Sequence, residues 1–426
     1  MRSSYREPRR LAKLDGAQFQ RDLEALLHAR AGELLQAYLE AEVDDLLERA
    51  RYERRDPAQP AAHRDGHDRE RAVFSNRGPI ALRRPRVRGV RHESAVLPKF
   101  RRRLENVDSS LNEVWLRGLS QRDCEPSLRA LLGEKAPLSA STIARVNARL
   151  HDEYMAWTRR RLDDFEVVYL WADGIHLGTG PDDERRVFLV VIGADRSGTK
   201  HLLALEEALS ESEQSWSELF ANLVQRGMNA PALLIADGAH GLWAAADESF
   251  TGTAQQRCWN HKIKNVLDKL PKMYHDDALA ALREIMYDTD EQHARRDLEA
   301  LAKSHQRSYP KAAACLRDDV DRMFAYYRFP EANHKNLRTT NPIESIFASV
   351  RLRTDAAKRL RTIKTATSML FALIERLSTR WRRIDGYDKL STIKLPQTLR
   401  NERPHEIITF EERRRRYVSP QIAASS

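Results

Sequence analysis

Two short apolar runs constrain this chain more than any other feature. Val167 to Ala172 and Ala232 to Ala236 are of strand length. Each runs directly into the same tripeptide, Ala172-Asp173-Gly174 in one and Ala236-Asp237-Gly238 in the other. A carboxylate at the carboxyl end of a buried strand faces the crevice in which open α/β sheets bind ligands, and the glycine after it lets the chain turn away. Asp-Gly is also an ordinary way to leave a strand, so either copy alone reads first as turn chemistry. Two copies on adjacent strands shift that balance, because like charges at close range are costly unless a cation holds them together.

Arg186 to Ala194 and His201 to Leu205 read as two more strands, and an amphipathic helix with Trp216, Leu219, Phe220, Leu223 and Val224 precedes the Ala232 strand. Three neighbouring strands, a helix and a further strand are the order of a ribonuclease H-like sheet. From Ile263 to about Tyr327 the pattern is helical throughout, and a last long helix begins near Asn341. An all-helical block therefore interrupts an α/β core.

Glu344 is the third acid of interest. Asn341 as N-cap with Pro342 at the first helical position makes Glu344 the N3 residue, whose plainest role is the reciprocal partner in a capping box. Arg351 follows two turns along the same face as an accessory cation, with Arg353, Lys358, Arg359 and Arg361 beyond it. An acid leading into a basic face suits a metal-bound phosphate that continues along a polyanionic strand. Asp173, Asp237 and Glu344 can together hold two Mg²⁺ ions, with Mn²⁺ as substitute, because hard oxygen-only ligands select these over zinc. One ion then activates an attacking oxygen and the other stabilises the leaving oxygen. No Gly-rich phosphate loop and no nucleophilic-serine elbow is present, so nucleotide hydrolysis and acyl transfer lack residue support.

Charge points to the partner. The 426 residues include 72 Lys and Arg against 62 Asp and Glu, a net charge of +10. The excess is clustered: Arg83 to Arg103 holds nine basic residues and one Glu, and Arg351 to Lys364 holds six against one Asp. Such clustering favours a polyanion partner over a merely solvated surface. No apolar run reaches the roughly 18 residues of a membrane span and no apolar signal core leads the chain, so a cytoplasmic protein with no membrane partner is expected. Cys124, Cys258 and Cys315 are odd in number and far apart, which fits neither a disulfide framework nor a paired zinc knuckle.

Residues 17 to 53 read as one amphipathic helix whose stripe, from Phe19 to Leu47, fits an internal core or a dimer contact. Asp56 to Arg71 is aperiodic and reads as a connector. Ala72 to Phe74 and Ile80 to Leu82 flank a turn-rich stretch, predicting a hairpin that leads into Arg83, Arg84, Arg86 and Arg88. Ser109 to Trp157 has helix-turn-helix spacing. Its third helix, capped by Ser139, buries Ile143, Val146, Leu150, Tyr154 and Trp157 and leaves Arg145, Asn147 and Arg149 toward solvent, where base-edge and phosphate contacts are made.

The expected chain is a multidomain α/β protein. A helical segment suited to dimerisation covers 1–55, a basic hairpin and linker 56–108, and a helix-turn-helix DNA-binding domain 109–160. A ribonuclease H-like core covers 161–262 and 336–385, interrupted by an all-α insertion at 263–335, and a basic tail covers 386–426.

These residues resemble one family, the mutator-type transposases of bacterial insertion sequences, enzymes with an Asp-Asp-Glu triad on a ribonuclease H-like fold. The resemblance covers most of the chain. It rests on Arg83 to Arg88, Leu170 to Gly174, Glu211-Ser212-Glu213 to Trp216 ahead of Gln225-Arg226-Gly227, Asp237 to Leu242, Arg257 to Lys262, and Thr340 to Ser345. His63-Arg64-Asp65-Gly66-His67 is a looser match. The resemblance implies that Asp173 and Asp237 are the catalytic aspartates and Glu344 the glutamate. Cys258 and His261 match the family's Cys-x-x-His signature, which implies an accessory role near the DNA ends. By themselves they read as a buried thiol and a core histidine, since a four-ligand zinc site lacks its second half. Double-stranded DNA, as terminal inverted repeats and target, is the implied partner of a homodimer or higher homo-oligomer, with replicative transfer through a circular intermediate. Two rival readings are a non-catalytic sequence-specific DNA-binding regulator derived from such an enzyme, which the presence of all three acids opposes, and a ribonuclease H-like structure-specific nuclease, which needs neither a helix-turn-helix nor strand transfer.

Overall fold

The computed structural model describes residues 16–76, 78–98, 101–104, 140–179, 184–356 and 362–396, with isolated positions between 105 and 139. The chain divides into two units, Met1–Val146 and Asn147–Ser426.

In the first unit a long helix, α1 (Gly16–Leu47), precedes four short strands, β1 (His63–His67), β2 (Arg71–Ser75), β3 (Gly78–Leu82) and β4 (Pro85–Arg88). β2 and β3 form the expected hairpin, with Ser75 opposite Gly78. The stretch expected as a connector instead contains β1, paired antiparallel to β4 with His63 opposite Arg88. Charge pairs hold this polar strand: Arg64 reaches Glu40 at 2.7 Å and Asp44 at 2.5 Å, and His67 reaches Glu40 at 2.6 Å. Apolar periodicity therefore could not reveal it. Burial opposes ionisation of Glu40, but His67 and Arg64 outweigh it and lower its pKa. α1 stops at Leu47, short of residue 53, because Glu48 takes a left-handed φ of 52°. Leu39, Val43 and Leu47 are buried, whereas Phe19, Leu23, Leu26, Leu27, Leu34 and Tyr38 are exposed in the described structure.

The helix α2 (Ala140–Thr158) starts just after the expected cap Ser139 and buries Leu150, Tyr154 and Trp157. Most of the remaining expected helix-turn-helix falls outside the described residues, as do the side chains of Ile143, Val146 and Asn147.

The second unit is built on a five-stranded sheet in the order β7-β6-β5-β8-β9. β5 (Val167–Thr179), β6 (Glu184–Asp195) and β7 (Lys200–Ala208) form an antiparallel meander. α3 (Glu213–Gln225) then leads to β8 (Leu233–Ala236), parallel to β5, and α4 (His240–Ser249) to β9 (Ala254–Arg257), parallel to β8. β9 has no apolar run to announce it. The side chain of its Gln256 donates to the Met323 carbonyl and accepts from the Tyr326 N–H, both at 2.8 Å.

Alternation along the strands sorts the two faces of this sheet. Leu170 and Ala172 of β5 and Leu234 and Ala236 of β8 enter one core with Trp216, Leu219, Phe220 and Trp243. Each such large apolar side chain, fully buried, contributes about 2–3 kcal/mol. Tyr169 and Trp171 point to the other face, where they donate to Asn333 Oδ1 at 3.0 Å and the Asn336 carbonyl at 3.3 Å. Asp173 follows that parity, and so does Asp237 after Leu233 and Ile235.

From Trp259 to Leu337 the described chain is helical or irregular: α5 (Trp259–Leu267), α6 (His275–Tyr287), α7 (Glu291–His305), α8 (Pro310–Arg317), α9 (Val320–Met323) and α10 (His334–Leu337). The Trp259 N–H donates to the Arg338 carbonyl at 2.9 Å, so the block returns to the sheet edge it left. α11 (Asn341–Ala356) and α12 (Ile363–Ser378) follow.

Candidate active site

Asp173 does not end its strand. β5 continues to Thr179 because its pairing with β6 persists, with Asp173 opposite Val190 and Thr179 opposite Glu184. What ends near Asp173 is the other neighbour: β8 pairs with β5 only from Tyr169 to Trp171. Asp173 thus stands where the sheet opens on one side, and Gly174 serves close approach rather than a turn. At Gly238 the expectation of a turn holds, with φ of 103°. The Asp237 carboxylate accepts the Ala239 N–H at 3.0 Å as the chain enters α4.

Glu344 reaches the same face through α11. The expected capping box is absent. The Glu344 N–H bonds to the Thr340 carbonyl at 3.0 Å, which makes Thr340 the cap and puts Glu344 one position further into the helix. The Thr340 N–H is already committed to the Cys258 sulfur at 3.3 Å, so it offers Glu344 no reciprocal bond. The Thr340 hydroxyl donates to Glu344 Oε1 at 2.8 Å, Asn260 Nδ2 donates to Oε2 at 3.4 Å, and His261 Nδ1 lies 3.9 Å from Oε1. Cys258, His261 and Glu344 offer ligand atoms within 4.8 Å of one another. They are three of the four that a structural zinc takes, and, without a metal, burial pushes the Cys258 thiol up to about 11.

The electrostatics are those of crowded acids. Burial pushes the Asp173 carboxyl up to about 7, Asp237 and Glu211 add to the rise, and His261 and the Gly174 N–H oppose it. Glu211 is raised for the same first reason, burial, then by Asp237, against His176 and His261. Among the described residues no Lys or Arg forms an ion pair with Asp173, Asp237, Glu211 or Glu344; the imidazole of His176 lies 3.0 Å from Glu211 and that of His261 3.9 Å from Glu344. All-oxygen donors, a buried Asp173 and the lack of a Lys or Arg partner suit a hard divalent cation, although the ligand atoms of Asp173, Asp237 and Glu344 do not all lie within 4.8 Å of one another as those of Cys258, His261 and Glu344 do.

The sequence model described as "Transposase, Mutator family" matches residues 6–384. This chain belongs to that family. It is 43% identical over 273 residues to the transposase for insertion sequence element IS6120 of Mycolicibacterium smegmatis, covering 64% of this chain and 84% of the relative. It is 37% identical over 268 residues to the transposase for insertion sequence element IST2 of Acidithiobacillus ferrooxidans, covering 62% and 90%. A relative from Rhizobium meliloti, the transposase for insertion sequence element ISRM5, is 27% identical over 362 residues, covering 85% of this chain and 90% of that one.

The other residues singled out for this Mutator-family chain sit in varied settings. Arg86 and Arg88 alternate with Pro85 and Val87 on β4 and are exposed, as is Arg83. Arg84 is half-buried and held by Asp68 at 2.9 Å. Arg145 and Arg149 are exposed on α2, and Arg351 is exposed on α11. The side chain of Arg353 and all of Lys358, Arg359 and Arg361 lie outside the described residues. Sequence reasoning gave no role to Glu211, although the Glu-Ser-Glu segment was among those carrying the resemblance. Among the described residues no helix is long and apolar enough to cross a membrane.

Proposed function

We propose that this transposase binds the terminal inverted repeats of its insertion sequence, cleaves there with divalent metal held by Asp173, Asp237 and Glu344, and joins the freed 3′ hydroxyl to target DNA. Family membership makes the chain a DNA transposase. One observation carries the rest: Asp173 on β5 and Asp237 just past the parallel strand β8 act on each other's charge, His261 faces both Asp173 and Glu344, and no Lys or Arg among the described residues pairs with the three acids. The order β7-β6-β5-β8-β9, with the first three strands antiparallel and the last two parallel to β5, supports the ribonuclease H-like reading.

Bound Mg²⁺ or Mn²⁺ would supply activation of the attacking oxygen and charge neutralisation at the leaving oxygen. The chain's own contribution is placement. β5 and the β8–α4 turn hold the two aspartates, while Thr340 and Asn260 fix the Glu344 carboxylate. The His261 side chain is 33% exposed, which leaves its imidazole able to bind a phosphate oxygen or an end nucleotide. Arg145, Asn147 and Arg149 read the repeat. Arg83, Arg86, Arg88, Arg351, Arg353, Lys358, Arg359 and Arg361 follow phosphates. The domain boundaries expected from sequence divide these roles, and pairing two DNA ends calls for at least a dimer. Incubating the purified protein with labelled element ends, target DNA and Mg²⁺, then mapping products, tests this. Cleaved ends joined to target support it, and cleavage without joining favours a nuclease.

A further inference from the structure

Glu211 lies outside the triad but not outside its site. It precedes Ser212, the cap of α3, whose hydroxyl accepts the Ser215 N–H at 3.2 Å. Two bare glycines bring this point of the chain against both aspartate segments. A Cβ built on Gly174, next to Asp173, would fall 2.4 Å from Glu211 Oε1. A Cβ on Gly241, in the first turn of α4, would fall 2.6 Å from the backbone nitrogen of Glu213. The Gly241 gap meets backbone and tolerates no side chain, so the seating of the α3 start against α4 is built into the backbone, and bare Gly174 leaves the room that the Glu211 carboxylate occupies beside Asp173.

Among the described residues Glu211 makes one ion-pair contact, with the imidazole of His176, whose Nε2 lies 3.0 Å from Oε1 and whose side chain is 59% exposed. Asp173, 8% exposed, accepts the Gly174 N–H at 2.9 Å and has no side-chain partner among the described residues. A third carboxylate brought against two others raises their mutual repulsion unless a cation of higher charge binds among them. We propose that Glu211 is a fourth carboxylate of the divalent-metal centre, with His176 holding it in place while no metal is bound. This rests on the reading of Asp173, Asp237 and Glu344 as metal ligands.

The experiment is a calorimetric titration of the full chain with Mn²⁺ in the absence of DNA, with melting in EDTA as a second readout. Glu211→Gln should weaken Mn²⁺ binding about tenfold or more, since affinity for hard cations follows ligand charge. Its melting temperature in EDTA should match or exceed that of the unaltered chain, because a like charge is gone. His176→Ala should leave Mn²⁺ affinity unchanged or tighter, as it removes a competitor for Oε1. If Glu211→Gln does not fold, Glu211→Asp serves, with an intermediate loss of affinity expected. Unchanged affinity in a folded Glu211 variant would overturn the proposal, as would equal losses in the Glu211 and His176 variants, the pattern of a merely structural pair. Failure of the underlying reading looks different: there, Asp237→Asn also leaves Mn²⁺ binding unaltered, or the unaltered chain shows no saturable binding, and both ideas fall.

Discussion

The Cys258 thiol donates to Glu344 Oε1 across 3.8 Å, and the same sulfur accepts from the Thr340 N–H at 3.3 Å. A residue that by itself reads as a buried thiol thus ties the end of β9 to the carboxylate of α11. Cys258→Ala leaves the buried Thr340 N–H without an acceptor, at a cost of about 1–3 kcal/mol. Cys258→Ser keeps an acceptor and should lie closer to the original stability. Urea denaturation of both variants checks this, and equal stabilities would contradict it.

The raised Asp173 carboxyl makes stability depend on pH. Its ordinary pKa of 3.8 rises to about 7 in the folded chain, so between these values the folded state holds a proton that the unfolded state has lost. Without divalent metal, stability should therefore fall as pH rises from 4 to 7, by on the order of 3 kcal/mol at most. Asp173→Asn should flatten this slope and melt higher than the unaltered chain at pH 8 in EDTA. Denaturation curves across this range are the check. Metal affinity should run the other way, rising with pH as the proton leaves.

Gly241→Ala tests the seating of α3 against α4. The added methyl meets backbone, which cannot rotate away, so the two helix starts must part. Overpacking of this kind costs typically 1–3 kcal/mol, against a gain of up to about 1 from helix propensity. A net loss of about 1–2 kcal/mol in chemical denaturation is expected, with a larger loss of DNA cleavage because Glu211 and Asp237 separate. Unchanged stability would mean that the close approach is slack.

The basic strand β4 should divide by exposure. Arg88 is open to a phosphate backbone, so its alanine variant should flatten the slope of log affinity against log salt by about 0.9, and Arg86, exposed but bonded through Nε to the Asp65 carbonyl at 3.0 Å, should flatten it by no more than that. Arg84 is committed to Asp68, and Arg84→Ala should alter the salt slope less while lowering stability by up to about 1 kcal/mol. Fluorescence anisotropy with labelled repeat DNA measures the first effect and thermal melting the second.

The two aspartates were legible because apolar runs ending in Asp-Gly mark buried strands directly. The length of β5 was not, since pairing with β6 carried the strand through two turn signals, Gly174 and Gly178. The cap of α11 was misplaced by one residue because Thr340 and Asn341 are both good caps. A tertiary contact, the Cys258 sulfur, decided between them. β9 was hidden because Ala-Gln-Gln-Arg pairs by backbone and side-chain amides without apolar alternation. Glu211 was hidden because an acid just ahead of a helix cap is also what the helix dipole favours, and only the packing against Gly174 sets it apart.

The central claim is that Asp173, Asp237 and Glu344 hold the metal on which strand cleavage depends. Its most direct measurement is single-turnover cleavage of a labelled terminal repeat in Mg²⁺ by Asp173→Asn, Asp237→Asn and Glu344→Gln, with end binding followed in parallel. Each variant should bind the repeat within about twofold of the unaltered protein and lose cleavage by at least about a thousandfold. Near-normal cleavage by any one of the three, with binding intact, would contradict the account.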